Sequence, residues 1–325
     1  MAVVSGTSTR YNIVGDREDL ANSIYDISPV DTPFFSSAKR GKAKSTFHEW
    51  QTDSLAAATT ANAYVEGDEA SFSTPSPTVR VGNYTQISRK TLIVSDTLEE
   101  MDLAGRKSEM AFQLAKQSKE IKRDMESIFL SNQAANAGGL ATPRRLASMG
   151  AWLKTNVDLA TNGANPAYTS GAPMTARTDG VGVRAFTQTI LKSVIQQAWT
   201  NGGEPRTLMV GPYNKTVVSG FEGIAETVVN VGTGTGPTTI LAAADVFVSD
   251  FGKVRVIPNR FQRERDAWLL DFSLISVPYL RSFRTKNLAP TGDAEKKMLV
   301  VEYTLRVNQE AGLGLAADLT TAAGT

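Results

Sequence analysis

The 325-residue sequence has no cysteine and a single histidine. Without cysteine there can be no disulfide framework, zinc–thiolate site, iron–sulfur cluster or thiol nucleophile. With His48 alone, a multi-histidine metal site is excluded, and a Ser-His-Asp triad would have to be built around that one residue. In "FHEW" it stands among aromatic residues, which favours a packed or surface histidine over a catalytic one. An excess of either charge is missing too. Thirty-four basic against 33 acidic side chains leave a formal net charge of +1, so no large field draws the whole molecule to nucleic acid and any such contact must be local. No run approaches the ~20 apolar residues of a membrane span. The opening "MAVVSGTSTRYNIVGDRED" lacks the basic and apolar parts of a signal peptide, so a cytosolic, soluble start without membrane contact is expected.

The motifs that carry chemistry fail in turn. "VGTGTGP" (Val231 to Pro237) lacks the Lys-Ser/Thr of a phosphate loop and has no helical pattern behind it, so it reads as a flexible loop. Asp68/Glu69 and Glu99/Glu100 are adjacent pairs, whose side chains diverge; they read as solvated charge or helix-start residues, not as a matched acid and base. Asn83 and Asn214 open glycosylation patterns that mean nothing without secretion. No feature argues for an enzyme, and no cofactor or metal is implied.

What is present is a length and a 41% hydrophobic content that allow a real core and about two domains. In "ISPVDTPFF", Pro29 and Pro33 stand four apart, so neither a helix nor a central strand passes through both; residues 1–40 read as an arm tacked down by Phe34 and Phe35. The basic cluster Lys39, Arg40, Lys42 and Lys44 is either a solvated turn around Gly41 or a local contact with an acidic partner or nucleic acid. From about Lys42 to Val94 the pattern is a long two-stranded excursion, "KSTFHEWQTDSL" outward and "PTVRVGNYTQISRKTLIVS" back, with a turn region around Gly67. Such a ribbon buries too little to stand alone and is expected to dock on another subunit.

Thr97 and Glu100 fit a capping box, and Met110, Leu114, Ile121, Met125 and Ile128 make a helical stripe. Lys107 to Leu130 is expected as one rod, with Gly105 interrupting its first turns and Lys116–Glu120 and Lys122–Glu126 at i,i+4. Thr155 to Gly182 carries no period and is expected as an exposed, inserted loop. Phe186, Ile190, Val194 and Ala198 then mark an amphipathic helix closed by "NGG", followed by the short strand "TLMVGP" and a helix-like "YNKTVVSGFEGIA", an α+β module. "KVRVIP", "AWLLDF" and "SLISVPYLRSF" read as short strands. Finally Leu299, Val301, Tyr303, Leu305 and Val307 alternate with mostly polar residues, a half-buried wall strand against the long helix.

The order "ISPVDTPF", Glu49-Trp50, Glu66-Gly67, "NYTQISRKTLIVSDT", the long helix and "LAPTGDAEKKMLVVEYTLRVNQEAGLG" resembles the major head (capsid) proteins of tailed bacteriophages, over about Ile27 to Leu319. The resemblance implies the Hong Kong 97-type α+β capsid fold: an N-terminal arm (1–40), an extended β-hairpin E-loop (41–95), a peripheral domain with a spine helix and antiparallel sheet (96–150), an axial domain (151–245) and terminal strands (246–325). It implies a virion shell of pentamers and hexamers of this chain, assembled in the host bacterial cytoplasm. Packaged double-stranded DNA would be held non-specifically, with scaffolding, portal and decoration proteins as further partners. Phe34, Phe35, Trp50, Tyr64, Glu66 and Tyr84 are the candidate contacts between subunits. Lys116, Lys119, Lys122 and Arg123 are candidates for facing DNA, against the plainer reading of a solvated helix face. No Lys, Asn and Glu set for an isopeptide cross-link is identifiable, and with a short arm any scaffold is expected to be a separate protein. The same fold would serve a nanocompartment shell, and a phage tail or fibre binding module is the remaining alternative.

Overall fold

A computed structural model of the chain describes residues 28–70, 72, 74–221 and 245–322. The first 27 residues of the arm and the "VGTGTGP" loop lie outside the described residues. Helix α1 (Pro33–Ser37) begins at its proline, where the missing N–H would be unsatisfied anyway and the ring presets φ. Strand β1 (Lys39–Lys42) follows, so the basic cluster is an exposed sheet edge and not a turn. Strands β2 (Phe47–Thr52) and β3 (Val79–Tyr84) form the expected antiparallel hairpin, with the described residues between them outside any strand. The return limb does not stay with the hairpin. After Thr85 it becomes β4 (Gln86–Ser95) and joins the main sheet.

Helix α2 (Asp96–Glu100) is capped by Ser95, whose Oγ accepts from Leu98 N–H, and not by Thr97. The chain then breaks, with Gly105 at φ 77°, before α3 (Glu109–Phe129). The 24-residue rod expected from Lys107 to Leu130 is therefore a 21-residue helix, about 31 Å long at ~1.5 Å per residue. It starts later because Ser108 takes the cap, accepting from Ala111 N–H. The predicted stripe holds: Met110, Ile121 and Met125 are buried, and Leu114 and Ile128 partly so. Neither i,i+4 ion pair forms among the described residues. Glu120 reaches Lys90 on β4 at 3.8 Å, and Glu126 turns into the core.

Next come α4 (Met149–Trp152) and the short strands β5 (Val157–Asp158), β6 (Ala167–Thr169) and β7 (Ala172–Thr175). The stretch expected as an exposed insertion is thus packed: Asn156, Ala172 and Arg177 are buried, and Gly82 N–H donates to Gly171 O across 3.0 Å. Gly171 has φ 79°, and a Cβ there would meet Arg80 O at 2.5 Å, so only glycine lets this hairpin lie against β3. The α+β module is α5 (Gln188–Thr200), β8 (Thr207–Val210) and α6 (Pro212–Ser219), joined by β9 (Val246–Ser249), β10 (Gly252–Pro258) and β11 (Ala267–Leu270). Strands β12 (Ile275–Asn287), β13 (Ala294–Tyr303), β14 (Arg306–Val307) and β15 (Gly314–Ala316) complete the described chain.

Two sheets result. One runs β1-β12-β13-β4, with β14 also on β12; the other runs β5-β15-β11-β8-β10-β9. The stripe of α3 covers one face of the first, closing a core of Phe34, Phe129, Leu299, Val301 and Tyr303. Phe129 meets the Tyr303 ring edge-on at 5.4 Å, a favoured aromatic geometry. The α5 helix covers the second, burying Leu191, Val194 and Ile195 against Leu208, Val256 and Leu269. The final wall strand is corrected in two ways. It stops at Tyr303, and residues 299–305 are buried on both faces, because Arg144 and Arg281 pair with Glu302 on the side expected to face water.

Candidate assembly surfaces

The hairpin β2–β3 has a fixed root and an exposed tip. At the root, buried Asn83 donates from Nδ2 to Ala147 O and Leu305 O (3.1 and 2.8 Å) and accepts from Ala147 N–H (2.8 Å). Thr85 Oγ donates to Glu302 (2.9 Å) and Arg281 Nε to the same carboxylate (2.5 Å), with Arg144 completing the set. A buried charge with several charge-assisted bonds is held to one geometry. Toward the tip the protection ends: Leu55 is 98%, Tyr64 75%, Val65 80% and Phe72 97% exposed.

The six candidate contact residues separate along this gradient. Tyr64 and Glu66 are exposed on the tip. Tyr84 is half-buried, its ring 4.6 Å from Phe47. Trp50 is enclosed by its own chain, 5.3 Å from Trp152 and beneath the Arg306 guanidinium. Phe34 and Phe35 lie in the core, Phe34 against Phe129 and Phe272. What fixes them was not visible in the sequence. Thr32 supplies no side-chain cap for α1; instead the Glu126 carboxylate, 92 and 91 residues away, accepts from Phe34 N–H (2.8 Å) and Phe35 N–H (2.7 Å). Asn259 Nδ2 donates to it as well. Burial pushes this carboxyl above the usual range, although all three hydrogen bonds favour its charged form.

Lys116, Lys119 and Lys122 are exposed on α3, and Arg123 is half-buried over the Phe261 ring at 5.0 Å. Beside the second sheet, Arg177 and Asp266, both fully enclosed, share two bonds of 2.8 and 2.9 Å. Asp179 bridges Arg177 and Arg263, and Asp318 holds Arg265. Burial pushes Asp266 up against the pull of Arg177 and Arg263. At Asp179 burial acts the same way, but the Arg263 hydrogen bond and the charges of Arg263, Arg177 and Arg265 hold it below its usual value. Residues 89 apart in sequence carry no spacing signal for such a pair.

Among the described residues no group of acidic or histidine side chains could hold a metal, and no helix is long and apolar enough to cross a membrane. His48 is half-buried, its ring 5.9 Å from that of Trp50; burial and the Arg306 charge lower its proton affinity.

Residues 3–320 match the SU10 major capsid protein family. Over 124 residues the chain is 45% identical to the major capsid protein of Escherichia phage Phieco32, covering 38% of this chain and 35% of that one, so the match spans about a third of the curated relative. Two solved structures share the fold along nearly the whole length. The capsid of a native GTA particle has a TM-score of 0.61 at 11% identity, covering 96% of this chain and 98% of that one. A chain of Mycobacterium phage Adephagia has a TM-score of 0.60 at 10% identity, covering 97% and 99%.

Proposed function

The chain belongs to the SU10 major capsid protein family, and we propose that it builds the icosahedral head of a tailed bacteriophage as pentamers and hexamers enclosing double-stranded DNA. The observation that carries this reading is the exposed tip. A lone subunit gains nothing by holding Leu55, Tyr64, Val65 and Phe72 in water, and a two-stranded ribbon is at best marginally stable by itself. A neighbouring copy supplies the missing burial. The rigid root at Asn83 and Glu302 aims the ribbon, so that ordering the tip is the main entropy cost left to assembly.

In this reading the arm, E-loop, peripheral and axial domains succeed one another along the chain, with β4, which pairs with β13, serving the peripheral sheet. The lysine face of α3, at Lys116, Lys119 and Lys122, lies away from the sheet and suits a wall turned toward packed DNA, bound through phosphate without sequence preference. Assembly takes place in the host cytoplasm, with scaffolding, portal and decoration proteins as separate chains. Electron microscopy and sedimentation velocity on the purified full chain test the reading. Closed shells, or rings of five and six, are expected; a uniform 34.9 kDa species, even when coexpressed with the phage's other head proteins, would refute it. Denatured shells should run as a single band, because the sequence identifies no Lys, Asn and Glu set for a cross-link.

A further inference from the structure

The sequence holds two Asn-Gly pairs, Asn162-Gly163 and Asn201-Gly202. This dipeptide carries a chemistry of its own. The backbone nitrogen of the glycine, with no Cβ beside it to obstruct the approach, can attack the asparagine Cγ and close a five-membered succinimide. One C–N bond forms, the bond from Cγ to the side-chain nitrogen breaks, and that nitrogen leaves as ammonia with the proton of the glycine N–H. One water then opens the ring to aspartate or isoaspartate. The step needs only that the carboxamide be free to turn onto the glycine nitrogen, and the fold treats the two pairs differently.

Asn201 closes α5 and is tied. Its Nδ2, the nitrogen that would leave, donates to Asn156 Oδ1 (2.7 Å) and Gln197 O (3.0 Å), while Gly202 N–H donates to Trp199 O (3.0 Å). Asn162 stands exposed at φ 63°, a left-handed conformation that asparagine tolerates, and its side chain has no hydrogen bond among the described residues. A single bond restrains the reacting atoms, from Gly163 N–H to Ala160 O at 3.1 Å. We propose that Asn162 is a site of spontaneous modification, converting slowly to aspartate and isoaspartate, and that the end of α5 protects Asn201. The turn around Asn162 is pinned on both sides. Ala160 N–H donates to Asp318 (3.2 Å), Val181 N–H donates to Thr161 O (2.9 Å), and Ala164 and Thr178 exchange bonds of 3.1 and 2.9 Å. Aspartate adds a charge but keeps the backbone, and it tolerates the same conformation. Isoaspartate inserts a methylene into the main chain between those anchors, so the turn and the Ala164–Thr178 bridge cannot both survive.

Peptide mapping by mass spectrometry on the full chain, aged warm at several mildly alkaline pH values, tests the assignment. The same chain unfolded in urea is the reference in which both pairs are free, and there the two should convert at similar rates. In the folded chain Asn162 should outrun Asn201 by about tenfold or more, because two further hydrogen bonds must open at Asn201. Its rate should rise with pH, since the glycine nitrogen attacks after losing its proton. Asn162→Gln, which would have to close a larger ring, should silence the site. Amide exchange at Ala164 and Thr178 should be fast in the isoaspartyl fraction and remain slow in Asn162→Asp. Conversion of Asn201 at least as fast as Asn162 in the folded chain overturns the inference. So does a folded Asn162 that stays intact while its unfolded counterpart converts, which would mean that the turn bond to Ala160 is protection enough. Slow exchange at Ala164 and Thr178 in the isoaspartyl fraction would overturn the consequence drawn for the turn.

Discussion

Replacing Glu126 with alanine removes the acceptor that three donors share. Phe34 N–H and Phe35 N–H would be left buried beside Phe129, and Asn259 Nδ2 would keep only the Met209 sulfur, a weak acceptor, at 3.2 Å. A hydrogen bond to a charged group contributes ~1.5–3 kcal/mol, and a stranded buried donor costs ~1–3 kcal/mol. Three such losses are partly offset because the carboxylate no longer has to be desolvated, a cost visible in its raised proton affinity. The net expectation is about 3 kcal/mol of destabilisation for Glu126→Ala. Glu126→Gln keeps one acceptor oxygen and should lose about half of that. Urea unfolding of the unassembled chain, followed by fluorescence of buried Trp152 and Trp268, measures both. Amide exchange at residues 34 and 35 should be slow in wild type and fast in the alanine variant. The pH dependence has a definite sign. A carboxyl whose folded affinity is raised contributes stability that is fully present below its unfolded value of about 4.5 and is lost as pH rises through the folded value. Wild type should therefore gain on the glutamine variant as pH falls through that window. A Glu126→Ala chain within about 0.5 kcal/mol of wild type, with residues 34 and 35 still protected, would refute the reasoning.

Asp266→Ala leaves the Arg177 guanidinium enclosed without its bidentate partner and should cost about 3–5 kcal/mol in the same unfolding assay, with Arg177→Leu/Asp266→Leu costing less than Asp266→Ala alone. For His48, burial and Arg306 favour the neutral ring. Its NMR titration, unambiguous in a one-histidine chain, should have a midpoint below 6.5. Stability of the hairpin root is then present above that value and lost as pH falls through the depressed folded midpoint. A midpoint at or above 6.5 would contradict it.

Elements whose burial follows a period were legible in the sequence. The stripe of α3, the four-residue spacing around α5 and the hairpin limbs carry their partners' demand in their own pattern, and the order of motifs carried the family and fold. The misplaced features have long-range causes. Glu126 looked like the i,i+4 mate of Lys122 because the peptide groups it caps are 91 and 92 residues away. The polar side of β13 looked solvated because Arg144, 158 residues from Glu302, is what covers it. Residues 155–182 have no period because their ladders are two to four residues long, too short to imprint one.

The pairing of β4 with β13 has a consequence for how the chain is made. Ser88 and Tyr303, joined at 3.0 Å, are 215 residues apart, and the apolar stripe of α3 packs on the sheet those strands build. At ~5–20 residues per second on the ribosome, β4 waits roughly 10–40 s for its neighbour. During that time the edge of β4 that β13 will cover is also bare and the stripe has no lid, a state open to chaperones and prone to stick to the wrong chain. The main sheet is therefore complete only after the chain's late strands have been synthesised.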